Sequence, residues 1–200
     1  MPIDLTGIEN QNEFYTHNYL AAILEQDLKE VFQKWRDRDE TEKVKPPYAL
    51  LRGFQKEFFR AQSQVERRRS LQGKRSQLHD VQAQLLEILG YPFEPSAREL
   101  DDGAMLPILG ELTKNGGAPE LWILEALDET GEGEDPLGLR LNPLQWPADL
   151  EPSPELLDST LDEVITRHVF GRAEPPRWVL LLGATQILLI DRGKWNEKRL

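Results

Sequence analysis

Two carboxylates lie where neighbouring strands of a sheet would bring acidic groups together. Glu125 lies inside the apolar run 121–127, and Glu111 precedes it by fourteen positions. An unpaired ionised carboxylate is costly to bury in such a run, so Glu125 needs either a compensating group or a solvent-facing position on an alternating strand. Carboxylate oxygens are the ligands that hard divalent cations prefer. Together with Asp101 and Asp102 near the first hairpin, Glu111 and Glu125 are therefore candidate metal ligands.

Basic residues are concentrated between positions 52 and 75, although the formal net charge of the chain is -11. The run has eight basic residues against Glu57 and Glu66, a local net charge of +6. Clustered Arg and Lys bind phosphate, so the run predicts DNA contact; a solvated helix face and pairing with the acidic segment 120–163 are the alternatives. The candidate DNA-binding residues are Arg52, Lys56, Arg60, Arg67, Arg68, Arg69, Lys74 and Arg75.

The composition argues against several other kinds of chemistry. The chain contains no Cys, which removes disulfides, thiolate metal sites and Cys nucleophiles. No glycine-rich strand-to-helix turn suits S-adenosylmethionine, so no cofactor is predicted within these 200 residues. The amino terminus lacks a secretory signal and no apolar stretch is long enough to span a bilayer. We therefore expect a cytoplasmic protein without a membrane partner.

Apolar periodicity predicts the elements that position these residues. A spacing of 3.6 residues predicts helices, with the polar run 36–45 separating the first two, and short apolar segments bounded by turn residues predict strands. Asn115-Gly116 is the strongest hairpin signal in the chain. The predicted helices are 13–35, 48–61, 76–89 and 156–171, and the predicted strands are 98–100, 105–112, 121–127, 178–182 and 186–190.

This order of elements predicts an α/β (α+β) fold with one central mixed sheet. We expect residues 98–127 to form an antiparallel meander in the same sheet as strand 178–182. Consecutive aliphatic residues in the last hairpin indicate a strand buried on both faces. Residues 1–70 are predicted to be a helical extension, and residues 71–200 are predicted to contain the sheet.

The segment Trp122-Ile123-Leu124-Glu125-Ala126-Leu127 resembles the Glu-X-Lys strand of PD-(D/E)XK nucleases. The order of helix, three meandering strands, helix and strand is similar to the core of that fold. The resemblance implies that residues 71–200 form a nuclease-like domain with a three-layer core, in which Glu111 and Glu125 share the metal. Leu127 stands where the family has its lysine, which implies an inactive site unless Lys114 or another base reaches it.

A second resemblance covers most of the chain. Residues 9–20 (ENQNEFYTHNYL), 99–103 (ELDDG), 121–127 (LWILEAL), 175–183 (PPRWVLLLG) and 191–196 (DRGKWN) are its motifs. They are similar to the amino-terminal region of large bacterial adenine-specific DNA methylases, both type IIG restriction-modification enzymes and phage-defence methylases of the BREX and DISARM kind. The resemblance implies a fragment of a longer methyltransferase that uses S-adenosylmethionine in a downstream domain.

The resemblance also implies partners, namely DNA, the downstream methylase domain of the same polypeptide and other subunits of a defence system. We expect the chain to engage DNA or to support assembly, without chemistry of its own. The alternative is an interaction module that docks the methylase domain or a partner subunit, with the acidic segment imitating DNA. A third interpretation is an active metal-dependent endonuclease.

Overall fold

The computed structural model describes residues 5–11, 14–68, 70–130 and 133–196. A π-helical turn, Tyr19–Ile23, leads into the first helix. The helices are α1 (Leu24–Glu42), α2 (Pro47–Arg67), α3 (Leu71–Leu89), α4 (Pro154–Asp158), α5 (Leu161–Glu163, continued as a π-helix over Val164–Val169) and α6 (Arg192–Asn196). The strands are β1 (Ser96–Glu99), β2 (Met105–Ile108), β3 (Gly110–Thr113), β4 (Pro119–Glu125), β5 (Trp178–Leu182) and β6 (Ile187–Asp191).

Four strands form a mixed sheet in the order β3-β4-β5-β6. The pairs β3–β4 and β5–β6 are antiparallel, whereas β4 and β5 are parallel. The chain between β4 and β5 carries α4 and α5, because parallel neighbours require a long crossover connection. This arrangement confirms the predicted α/β fold with a central mixed sheet.

Helices cover both faces of this sheet. Side chains alternate between the faces along a strand, so Trp122 and Leu124 lie on one side of β4, and Leu121 and Ile123 lie on the other. The first pair packs in an apolar cluster that includes residues of α4 and α5. The second pair packs in a cluster that includes Leu86 of α3. The sheet therefore lies between two helical layers.

The first helix continues through the polar run that was predicted to end it. Two i,i+4 contacts support this extension: Gln33 Nε2 donates to Asp37 at 2.7 Å, and Arg38 pairs with Glu42 at 3.3 Å. α1 ends where Lys43 adopts a left-handed conformation with φ of 60°. The predicted break at residues 36–45 is thus wrong by about two helical turns, because charged residues at matching spacing propagate a helix.

The predicted strand 105–112 is two strands in two different sheets. β2 pairs with β1, and β3 pairs with β4. Leu109 changes partner between them: it donates from its backbone N–H to Ile123 and accepts from Glu94. The prediction that 98–127 belongs entirely to one sheet is therefore wrong for β1 and β2. A strand that switches partners has the same apolar pattern as a continuous one, so periodicity does not reveal the change.

Two further predictions near the carboxyl end need correction. The predicted helix 156–171 is interrupted after α4, because the Thr160 side chain caps a new helix by accepting from the backbone N–H of Glu163. In the last hairpin, β5 is buried on both faces as predicted, but β6 is an edge strand. Its residues Ile187 and Leu189 are 48% and 46% exposed.

The two helices before the sheet begin at clear capping signals. α2 begins at Pro47, which needs no N–H partner in the first turn. α3 begins at Leu71, five residues earlier than predicted, because the Ser70 hydroxyl accepts from the Gly73 N–H at 3.2 Å.

The predicted extension 1–70 contacts the turn between β5 and β6, where Gln62 of α2 donates to the carbonyl of Ala184 at 2.8 Å. No helix in the described ranges is both long and apolar enough to cross a membrane.

We predict that Gly110→Ala destabilises the fold. A Cβ at this position would lie 2.6 Å from the carbonyl oxygen of Pro92, and backbone must move to relieve that contact. The expected loss is about 1–3 kcal/mol in the free energy of unfolding, measured by urea denaturation. Gly53→Ala is the matched control, because nothing lies within 4 Å of its Cβ on α2. It should stabilise by about 0.5–1 kcal/mol. Equal effects of the two substitutions would contradict this account of the β2–β3 switch.

Candidate functional site

Glu125 is buried at the carboxyl end of β4, where it faces α3. Its side chain is 3% exposed. The Arg75 Nε donates to Oε2 at 2.9 Å, and the Nε2 of His79 lies 2.9 Å from Oε1. Arg75 and His79 are four residues apart, so α3 presents both on the same face. The burial settles the choice left open by the sequence, since Glu125 is compensated by α3 and does not face solvent.

The connection between β4 and α4 completes this cluster, which we call the Arg75–Glu125–His79 cluster. Arg75 Nη1 donates to the carbonyl of Leu144 at 2.6 Å. Gln145 Nε2 donates to the backbone carbonyl of Glu125 at 3.0 Å. These contacts join α3, β4 and the short 3₁₀ turn Pro143–Gln145. A buried charge is tolerated when its lone pairs are satisfied in this way.

Glu111 occupies a different environment on β3. Arg98 of β1 binds its carboxylate in bidentate fashion, with Nε 2.9 Å from Oε2 and Nη2 in contact with Oε1. This pair joins the two-stranded sheet to the four-stranded sheet. The Arg98 guanidinium lowers the pKa of Glu111 below its ordinary value of 4.5. An open cleft of about 460 Å³ lies beside the pair and is lined in part by Glu94 and Thr113.

The two predicted metal ligands do not lie on the same face of the sheet. Glu111 pairs in register with Trp122, so both project to the side of the α4–α5 cluster. Glu125 is three residues beyond Trp122 and therefore projects to the α3 side. Lys114 also does not reach either carboxylate, because it pairs with Glu120 at 2.7 Å. The predicted shared metal pair is not brought together, and Leu127 is buried. Within the described ranges, no group of three or more His, Asp and Glu is arranged to hold a metal ion.

The predicted DNA-binding residues divide into two groups. Arg52, Lys56, Arg60 and Arg67 are exposed on one face of α2, and we call them the α2 basic stripe. Three others are placed differently: Arg68 is exposed and donates to Gln77 at 3.4 Å, Lys74 is half-buried, and Arg75 is held in the buried cluster. Arg69 lies outside the described residues. Arg75 is already engaged by Glu125 and by the Leu144 carbonyl, so its assignment to phosphate binding stays a prediction.

Sequence reasoning missed the roles of His79 and Arg98. No histidine lies four positions from His79, so its spacing does not indicate a metal site. A local signal for its role existed in the i,i+4 spacing of Arg75 and His79 on the sheet-facing side of α3. Nothing local connects Arg98 with Glu111, because their contact depends on how β1 meets β3.

Comparison of the chain with protein-family models, curated proteins and solved structures found no match.

We predict that Arg75→Met destabilises the protein by about 3–5 kcal/mol at neutral pH, because it leaves Glu125 buried without its guanidinium partner. Combining it with Glu125→Leu should recover much of that loss, since the double variant buries no unpaired carboxylate. Urea denaturation measures both effects. Arg68→Met is the control, because that arginine is exposed and outside the cluster. A similar loss from the two arginine substitutions would show that the cluster does not stabilise the fold.

We predict that the Arg98–Glu111 pair gives pH-dependent stability. The folded-state pKa of Glu111 is lowered, so its contribution is present above the unfolded pKa near 4.5 and is lost as the pH falls through the folded pKa. The difference in unfolding free energy between the native chain and Glu111→Gln should therefore shrink from about pH 7 to about pH 3.5. Glu99→Gln removes an exposed carboxylate on the same strand as Arg98 and is the control. A difference that stays constant over this pH range would contradict the prediction.

Proposed function

We propose that this chain is a DNA-engaging and assembly domain of an adenine-specific DNA methyltransferase from a restriction-modification or phage-defence system. Its scaffold is nuclease-like but binds rather than cuts. The observation that carries the proposal is the α2 basic stripe, a row of exposed cations in a strongly acidic chain. The assignment to a methyltransferase rests on the resemblance of the sequence motifs.

The geometry of α2 supports a role in binding. Its four cations recur at spacings of four, four and seven residues, so they align along one side of the helix. The opposite side holds Phe54, which is buried where α2 packs on α3. Because the packing on α3 buries the side opposite the cations, the basic face is open to a partner. The stripe extends over about 22 Å of helix, at 1.5 Å per residue.

The distribution of ion pairs also favours this face. The members of the α2 basic stripe form no ion pair within the described residues. Many other cations are neutralised by nearby carboxylates: Arg38, Arg75, Arg98, Lys114, Arg167, Arg172 and Arg177. The cations of the α2 basic stripe are thus available and lie in one row, and phosphate is the anion that such a row of cations binds.

The placement of the acids supports binding rather than cleavage. The nuclease interpretation needs Glu111 and Glu125 at one metal, whereas they project from opposite faces of the sheet. Arg75 and His79 already satisfy the carboxylate of Glu125. A guanidinium fixed on a carboxylate neither deprotonates water nor leaves an open position for a metal-bound nucleophile.

A docking module is the second candidate, and β6 is the observation that favours it. β6 is an edge strand, since within the described residues no strand pairs with its outer side, and its residues Ile187 and Leu189 are exposed. Edges of this kind are sites where another chain adds a strand. Under this alternative, the partner is the downstream methylase domain or another subunit, and DNA is not needed for binding.

We predict that replacing Arg52, Lys56 and Arg60 with Ala weakens DNA binding to unrelated sequences by a similar factor. Phosphate contacts carry no sequence information, and each lost contact lowers the slope of log K against log salt by about one. Fluorescence anisotropy with two duplexes over a salt series measures both quantities. The matched control is the triple substitution of Lys29, Lys34 and Arg36, which removes the same charge from exposed positions of α1.

Two outcomes would contradict the proposal. Equal losses in the two triple variants would mean that overall charge, not the α2 basic stripe, determines binding. Absence of binding by the native chain at low salt would favour the docking module. In that case Leu189→Lys should disrupt association with the separately expressed methylase domain, because it places a charge on the apolar edge strand.

A further inference from the structure

An aromatic side chain is exposed along the α2 basic stripe. Phe59 is 57% exposed, and it lies seven residues after Arg52 and three residues after Lys56. Helical spacing therefore places Phe59 on the same side of α2 as these cations. Its neighbour Phe58 is half-buried and contacts Phe59 edge-on, with ring centroids 5.6 Å apart. Packing against the protein thus leaves most of the Phe59 ring open.

The exposed aromatics lie to one side of the cations. At 100° per residue, Phe59 and the exposed Tyr48 lie about 20° and 40° to one side of Arg52. Lys56 and Arg60 lie about 40° and 80° to the other side. The aromatic side is the one nearer the β5–β6 turn, because Gln62, one turn after Phe59, donates to the Ala184 carbonyl in that turn.

This arrangement of cations and aromatic rings fits single-stranded nucleic acid better than a duplex. In a single strand the bases project from the phosphate backbone and are free to stack on an aromatic ring, whereas in a duplex they are already stacked between two backbones. The row of cations can bind the phosphates of a single strand, and the aromatic rings beside it lie where the bases of that strand project. Stacking on an aromatic side chain is tolerant of sequence, since every base has a π face.

We propose that α2 binds single-stranded or locally unpaired DNA, with phosphates on the α2 basic stripe and an unstacked base on the ring of Phe59. This inference rests on the proposed DNA-engaging function and gives it a specific substrate. Arg52 and Lys56 hold the backbone, and Phe59 provides the contact that distinguishes an open strand from a closed duplex.

The test compares Phe59→Ala with the native 200-residue chain. We measure the affinity for a thymidine oligonucleotide of about 15 nucleotides and for a duplex of the same length at low salt. Phe59→Ala should weaken single-strand binding about tenfold, change duplex binding less than about twofold, and leave the salt slope unchanged. Ile23→Ala, which also removes an exposed apolar side chain, is the control and should change neither affinity. Circular dichroism verifies that both variants are folded.

A second measurement reports stacking directly. The fluorescence of an oligonucleotide that contains 2-aminopurine should change when it binds the native chain, because the base leaves its neighbours, and it should change much less with Phe59→Ala. If Phe59→Ala matches Ile23→Ala in both measurements while the native chain binds duplex through the α2 basic stripe, this inference is overturned and the proposed function stands. If the native chain binds neither oligonucleotide, the proposed function fails and this inference fails with it.

Discussion

The buried carboxylate of Glu125 constrains the packing of the helical layer on the sheet. A carboxylate that is 3% exposed must be paired, and the partners come from α3, one turn apart. Satisfying it therefore fixes both the position of α3 along β4 and the rotation of α3 about its axis. α2 packs on α3, so the same constraint determines which side of α2 faces solvent. The orientation of the α2 basic stripe thus depends on the Arg75–Glu125–His79 cluster, although no residue of the stripe belongs to that cluster.

Side chains alternate between the two faces of a β-strand, and this alternation determines which partners Glu111 and Glu125 meet. Glu111 and Glu125 have the residue types that a metal site requires, and they lie on adjacent strands. Register places one on each face of the sheet, where each meets an arginine. An ion pair with Arg75 or Arg98 joins one structural element to another, so both carboxylates serve architecture. The mixed sheet and its helical layers then provide the scaffold, and exposed surface is offered by the helices and by β6.

Ion pairing, rather than amino-acid composition alone, determines where unpaired positive charge lies on this protein. A net charge of -11 argues against binding DNA, yet the cations of the α2 basic stripe form no ion pair within the described residues and lie in one row. The exposed ring of Phe59 lies along the same face. Electrostatic attraction is local once charges are separated by more than a Debye length of about 8 Å. The charge on one helix face therefore predicts a binding partner better than the net charge of the whole chain does.

The sequence by itself determined the features that depend on short-range periodicity. These include the α/β class, the start of α2 after Pro46, the buried strand β5, and the end of α3 at Gly90, whose φ of 81° suits glycine. Tertiary structure alone decided where the strand 105–112 divides, which carboxylate meets which arginine, and that β6 is an edge. The reason is that residues 50 positions apart, such as Arg75 and Glu125, have no local pattern that relates them. Their contact is set by the packing of α3 on β4, so spacing in the sequence identified the chemical groups without identifying their partners.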